Sequence, residues 1–341
     1  MKVWLHLVIL SLLSGHALAT PPYSGTVFVD PDILITDDPS TFVQAVSTGS
    51  GSREMFDRRV NEFVTLNALL FDAYYTDDSK VEIQVNPEFD LTEATRKAAF
   101  YGHAIGQLPL ALRVDLETVW IHKGDQAFGG GNNNILIHTD APGYHGEWLE
   151  ETLFHEACHT SLDGRAAESF EWYDAQANDP EFISTYARDN PDREDVAESC
   201  LMYFALRYRE ERISINTLAT ISETIPNRVV VLDSFNINPV SSSDRASFFD
   251  NATQELTLTA VRVGEAYHKV ILNLIDATGL VFEVESVSSA EPPNISSTSF
   301  YTNGILTVPL VLALGNRYAI SFSLKSENPI QFQVVSAEPV P

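Results

Sequence analysis

Up to about residue 232 the apolar positions of this chain switch between strand-like alternation and helical spacing, whereas beyond residue 246 almost every apolar run alternates. Residues 63–74 and 81–85 read as the arms of a hairpin turned by Asp77-Asp78-Ser79, and Val27-Phe28-Val29 as an opening strand. Residues 91–105 carry helical spacing, with Asp90 placed to cap them and Ala94, Ala98 and Ala99 inside. β-Branched, alternating content predicts strands over 117–123 and 134–139, with His122 and His138 as ordinary strand histidines. Between them, Gly129-Gly130-Gly131-Asn132-Asn133 reads as a flexible link rimming a cleft; no Lys-Ser/Thr follows, so it is not a phosphate loop. Helices are expected over 146–162, 191–210 and 214–225, the second with Asn190 as N-cap and Pro191 at the first helical position. The pattern predicts an α+β unit, a small sheet packed on helices.

Past an expected linker over 236–246, marked by Pro239 and a serine triplet, the chain repeats itself. Ser247-Phe248-Phe249-Asp250-Asn251 leads into Leu256-Thr257-Leu258, and Ser299-Phe300-Tyr301-Thr302-Asn303 leads into Leu306-Thr307-Val308. A period of about 50 residues predicts an all-β C-terminal domain of two units, arranged as a sandwich or paired sheets. Neither copy carries a catalytic or metal signature; such an appendage could bind a surface or glycan, or cap its neighbour. Asn251-Ala252-Thr253 and Asn294-Ile295-Ser296 match the glycosylation acceptor pattern, meaningful only in a eukaryotic secretory host.

The N-terminus changes the picture of location. Lys2, the apolar run from Val3 to Leu13 and Ala17-Leu18-Ala19 read as a signal peptide over 1–19, so the expected mature protein is secreted, extracellular or periplasmic. Its first domain then occupies 20–235 and the β-rich domain 247–341. No other stretch approaches the ~20 apolar residues of a membrane span. The formal charge of −26 argues against nucleic acid and anionic membranes as partners. Only Cys158 and Cys200 are present, either bridged or as two buried thiols.

Chemistry enters through His155-Glu156-Ala157-Cys158-His159. Residues four apart on a helix stack, so His155 and His159 can turn two imidazoles to one metal, with Glu156 beside a bound water as general base. Zinc is the metal such a site takes, with a third protein ligand and an open position. Glu194 is the candidate third ligand and Asp195 its rival; Asp163, on the same helix, is geometrically poor.

HExxH followed by a helix with Glu194-x-x-x-Glu198, and Tyr186 shortly before, resembles the gluzincin zinc peptidases, nearest to the catalytic domain of anthrax lethal factor. Ile121-His122-Lys123-Gly124 and the segment from Ser184 to Pro191 also look like a group of uncharacterised secreted bacterial proteins; the likeness covers residues 117–210. The resemblance implies a zincin-like catalytic domain, zinc ligands His155, His159 and Glu194, Glu156 as base, Tyr186 as hydroxyl donor to the oxyanion and Glu198 orienting a ligand histidine. By itself Tyr186 reads equally as a core tyrosine. Cys158 stands where lethal factor has glycine, and neither the thermolysin pattern nor a third metzincin histidine is present. The expected activity is zinc-dependent hydrolysis of a protein or peptide, with the 134–139 strand offering its edge to the substrate. The competing expectations are a zinc hydrolase for another amide, and an exported β-rich binding or structural protein with a vestigial first domain.

Overall fold

The computed structural model describes residues 20–295 and 298–340; the expected signal peptide over 1–19 and Ser296 of the second sequon lie outside the described residues. The class is mixed α+β with two sheets. Strands β1 (Phe42–Asp57), β2 (Glu62–Tyr75), β3 (Lys80–Val85), β4 (Thr118–His122), β5 (Gly129–Gly131) and β6 (Asn134–His138) form the first, in the order β1-β2-β3-β4-β6-β5. β1 to β3 make an antiparallel meander, β3–β4 and β4–β6 are parallel, and β5 lies antiparallel outside β6. β6 is buried throughout, as a central parallel strand must be.

Three strand expectations change. β1 went unread because Ser47 to Arg53 is polar on both faces; its ladder to β2 makes the strand. Val27-Phe28-Val29 is turn rather than strand. The glycine run is the edge strand, so the free edge belongs to β5 and not to the 134–139 strand. The reason is a close approach: a Cβ on Gly130 would overlap the Glu156 carbonyl, so only glycine lets this strand lie against the helix.

The helices are α1 (Leu91–Gly106), α2 (Leu110–Arg113), α3 (Leu149–Leu162), α4 (Phe170–Asn178), α5 (Thr185–Asp189), α6 (Asp195–Tyr208), α7 (Ile215–Thr224) and α8 (Pro226–Asp233). Asp90 caps α1 in a reciprocal box with Glu93, and Ser214 caps α7. α3 is buried on nearly every face, between the sheet and α6. Its first-turn acids are inside: Glu150 accepts from the Thr36 hydroxyl at 3.0 Å and Glu151 from the Leu34 N–H at 2.9 Å. A Cys158–Cys200 disulfide ties α3 to α6. Asn190 does not cap α6. It closes α5 instead, its side-chain amide donating to the Tyr186 carbonyl at 3.1 Å, and α6 begins at Asp195 with Glu194 in the cap position.

The second sheet holds β7 (Ser247–Asp250), β8 (Glu255–Val263), β9 (Ala266–Asp276), β10 (Val281–Ser289), β11 (Ser299–Thr302), β12 (Ile305–Ala313), β13 (Asn316–Glu327) and β14 (Ile330–Pro339). It is neither a sandwich nor paired sheets but one closed barrel. Short β7 and β11 share a position between β8 and β12: β7 runs antiparallel to β8 and parallel to β12, and β11 the reverse. Each unit thus lends its first strand to the other, which removes the open edges. The core records the duplication, with Leu256, Leu258, Val261, Leu272 and Phe282 answered by Leu306, Val308, Val311, Phe322 and Phe332. Even the register shift recurs, between Leu258 and Val261 and between Val308 and Val311.

Residues 236–246 are a packed joint rather than a loose linker. Ile237 is fully buried, the Thr76 hydroxyl donates to the Asp244 carbonyl at 2.6 Å, and the Asp244 carboxylate accepts from the Asn294 backbone N–H at 2.5 Å and from its side chain at 2.9 Å. No helix among the described residues is long and apolar enough to cross a membrane.

Candidate metal centre

α3 brings His155, Glu156 and His159 to one wall of a cleft of about 340 Å³. The opposite wall comes from α5 and the turn before α6. Ser184 caps α5 by accepting from the Ala187 N–H at 3.0 Å, and the N-terminal segment holds that helix through the Thr185 N–H to the Tyr23 carbonyl at 2.9 Å. The same tether lays Gly25 to Phe28 along the cleft, which is what the expected opening strand does instead.

His155, His159 and Glu194 come together, with one potential ligand atom from each inside a 4.8 Å cluster. His159 Nε2 lies 3.2 Å from His155 Nε2 and 3.1 Å from Glu194 Oε2; His155 Nε2 lies 3.7 Å from the same oxygen. Ligands about 2.0–2.1 Å from a tetrahedral zinc are separated by roughly 3.3 Å, so this donor set has the spacing and chemistry for that ion. His159 Nδ1 is held by Asp163 Oδ2 at 2.9 Å, the carboxylate–histidine contact that leaves Nε2 free to ligate. Beyond Leu162 the backbone widens into a π-helical turn over Asp163–Ala167, and Asp163 reaches back from its start. Asp163 therefore supports a histidine rather than adding a ligand.

Glu198 faces His155 Nδ1 at 3.7 Å, an ion-pair separation but too long for a hydrogen bond; the His155 nitrogen has no hydrogen-bond partner. Burial pushes the Glu198 carboxyl up, against the pull of His155. Burial opposes charge on His159 as well, but Asp163 and Glu194 outweigh it and push its imidazole up to about 10. Burial would raise Glu194 too; the two histidines instead hold it well below the carboxylate range.

Tyr186, on α5, is half exposed and donates its hydroxyl to Glu194 Oε1 at 3.0 Å. Burial, then the Glu194 charge, pushes that phenol up to about 12, so it remains a donor at neutral pH. Asp195 is elsewhere. It is buried and accepts from Arg228 Nε at 2.8 Å, Trp172 Nε1 at 3.0 Å and Gln176 Nε2 at 3.0 Å. His122 and His138 stack at the ends of β4 and β6, outside the cluster.

The spacing argument missed Tyr144 and Arg58, both on the cleft. Tyr144 packs edge-on to Phe28, and burial followed by the Glu156 charge pushes its phenol up. Both residues sit in turns without periodicity, so nothing local in the sequence marked them. No protein-family model, curated protein or solved structure matches this chain.

Proposed function

We propose that this chain is a secreted, zinc-dependent peptidase with a zincin-like first domain. The observation that carries the reading is the cluster of His155, His159 and Glu194 on the same cleft as Glu156, beside the unpaired edge of β5. Zinc held by those three side chains would supply a Lewis acid that polarises the scissile carbonyl and acidifies the attacking water. Glu156 accepts the proton of the attacking water and delivers it to the leaving amine. Tyr186, on turning from Glu194, donates its hydroxyl to the oxygen that gains negative charge. The N–H and C=O groups along the β5 edge can pair with an extended peptide, and this favours a peptide over a compact amide substrate.

The test is metal content together with cleavage of a peptide library, before and after chelation. One zinc per chain and chelator-sensitive cleavage are expected. Glu156→Gln should keep the zinc and lose about 100-fold or more in kcat. Stoichiometric zinc with no cleavage of any peptide overturns the peptidase reading.

A further inference from the structure

Resting on the peptidase reading, we infer that Arg58 selects substrates with an acidic side chain near the scissile bond. Arg58 starts the turn between β1 and β2 and lies on the wall of the catalytic cleft. Its neighbour pins that turn: the Arg59 guanidinium binds Asp57 at 2.7 Å and Glu88 at 2.8 Å, and the Arg59 backbone N–H donates to Asp57 at 2.9 Å. Arg58 itself reaches over β5. A Cβ on Gly129 would stand 2.6 Å from Arg58 Nη2, so the guanidinium occupies the space a side chain there would fill. β5 is the strand whose open edge receives the peptide in the reading above.

Charge gives the placement its meaning. Acids outnumber basic residues 47 to 21, and Arg53, Arg113, Arg207, Arg212 and Arg228 each hold a carboxylate. Arg58 has no carboxylate or hydrogen-bond partner among the described residues, although the cleft contains several acids. The other arginine of the cleft, Arg193, lies 3.7 Å from Glu194 Oε1. An unengaged guanidinium on an anchored turn, beside a strand with no strand partner beyond β6, offers its fork of donors to a carboxylate that arrives with the substrate. An acidic chain otherwise repels such peptides, so the preference must be local to one subsite.

The experiment walks a single Glu through the positions flanking the cleaved bond of a peptide substrate, with Gln at the same position as control and zinc-loaded protein throughout. One position should favour Glu over Gln by about tenfold in kcat/KM, and the advantage should shrink as salt is added. Arg58→Gln should bring that ratio close to one, and Arg58→Glu should reverse it in favour of Lys; zinc content reports that each variant is folded. Cleavage without an acid preference at any position, or a preference that survives in Arg58→Gln, overturns the inference and leaves the peptidase reading standing. If no peptide is cleaved, that reading falls, and equal affinity of the Glu and Gln peptides for wild-type protein then overturns the role of Arg58 as well.

Discussion

Glu194 turns its carboxylate to His159 at 3.1 Å, while Asp195, the next residue, is buried against Arg228. Sequence spacing left both open as the third ligand, because two adjacent acids at a helix start look alike until the helix is oriented against its neighbours. Their losses should differ in kind. Glu194→Ala is expected to cut zinc affinity by more than about 100-fold with a modest change in stability, as measured by competition with a chelator. Asp195→Ala removes one of the two carboxylates on buried Arg228, with Asp179 remaining, and leaves Trp172 Nε1 and Gln176 Nε2 without their acceptor, so it should cost about 1–3 kcal/mol in denaturant unfolding; equal zinc losses in the two variants would undo the assignment. Glu151 illustrates a different residue-scale effect. Burial pushes it up to about 9, against the Leu34 N–H that favours its charged form, and its second oxygen has no partner. The unfolded chain ionises this group above roughly pH 4.3 while the folded chain keeps its proton, so stability is withdrawn as pH rises through that window. Glu151→Gln should therefore be the more stable protein above that window, by on the order of 3 kcal/mol at pH 7 and more at pH 8, and show little advantage near pH 4. A denaturation midpoint below wild type at pH 8 would contradict this.

At the scale of elements, α3 was legible and β5 was not. His155 and His159 four apart, with Leu149, Leu153 and Ala157 inward, announce a helix whatever surrounds it. Gly129-Gly130-Gly131 has no side-chain pattern to read, and it becomes a strand because β6 offers it a ladder and α3 requires a bare backbone there. Gly130→Ala should push β5 off α3, costing about 1–3 kcal/mol and lowering peptide cleavage together with thermal stability. The Cys158–Cys200 bridge, with a sequence separation of 42, holds the two helices that carry the triad. Serine at both positions should cost about 4 kcal/mol by the chain-entropy estimate and weaken zinc retention; unchanged unfolding in denaturant would show that packing alone holds α3 to α6.

For the whole molecule, the two largest of three apolar clusters among the described residues meet at a polar joint around Asp244. Asp244→Ala leaves the Asn294 N–H without its acceptor, so about 1–3 kcal/mol should be lost from the joint, seen as faster proteolysis over 236–246 with both cores intact. Residue order alone announced α3 and the body of α6, the presence of two units in the β-rich part and the chemical types gathered near α3, because periodicity and residue chemistry are local properties; α5 and the true start of α6 at Asp195 were not among them. It could not determine that the repeats close into one barrel by exchanging β7 and β11, since an alternating strand carries no record of its partner. Nor could it show that Tyr144, Arg58 and the 25–28 segment share a cleft with Glu156, or that Asp163 serves His159 from behind. Those are relations between residues far apart in the chain or across a distorted helical turn, and only packing, which brings distant backbone within a few ångströms, decides them.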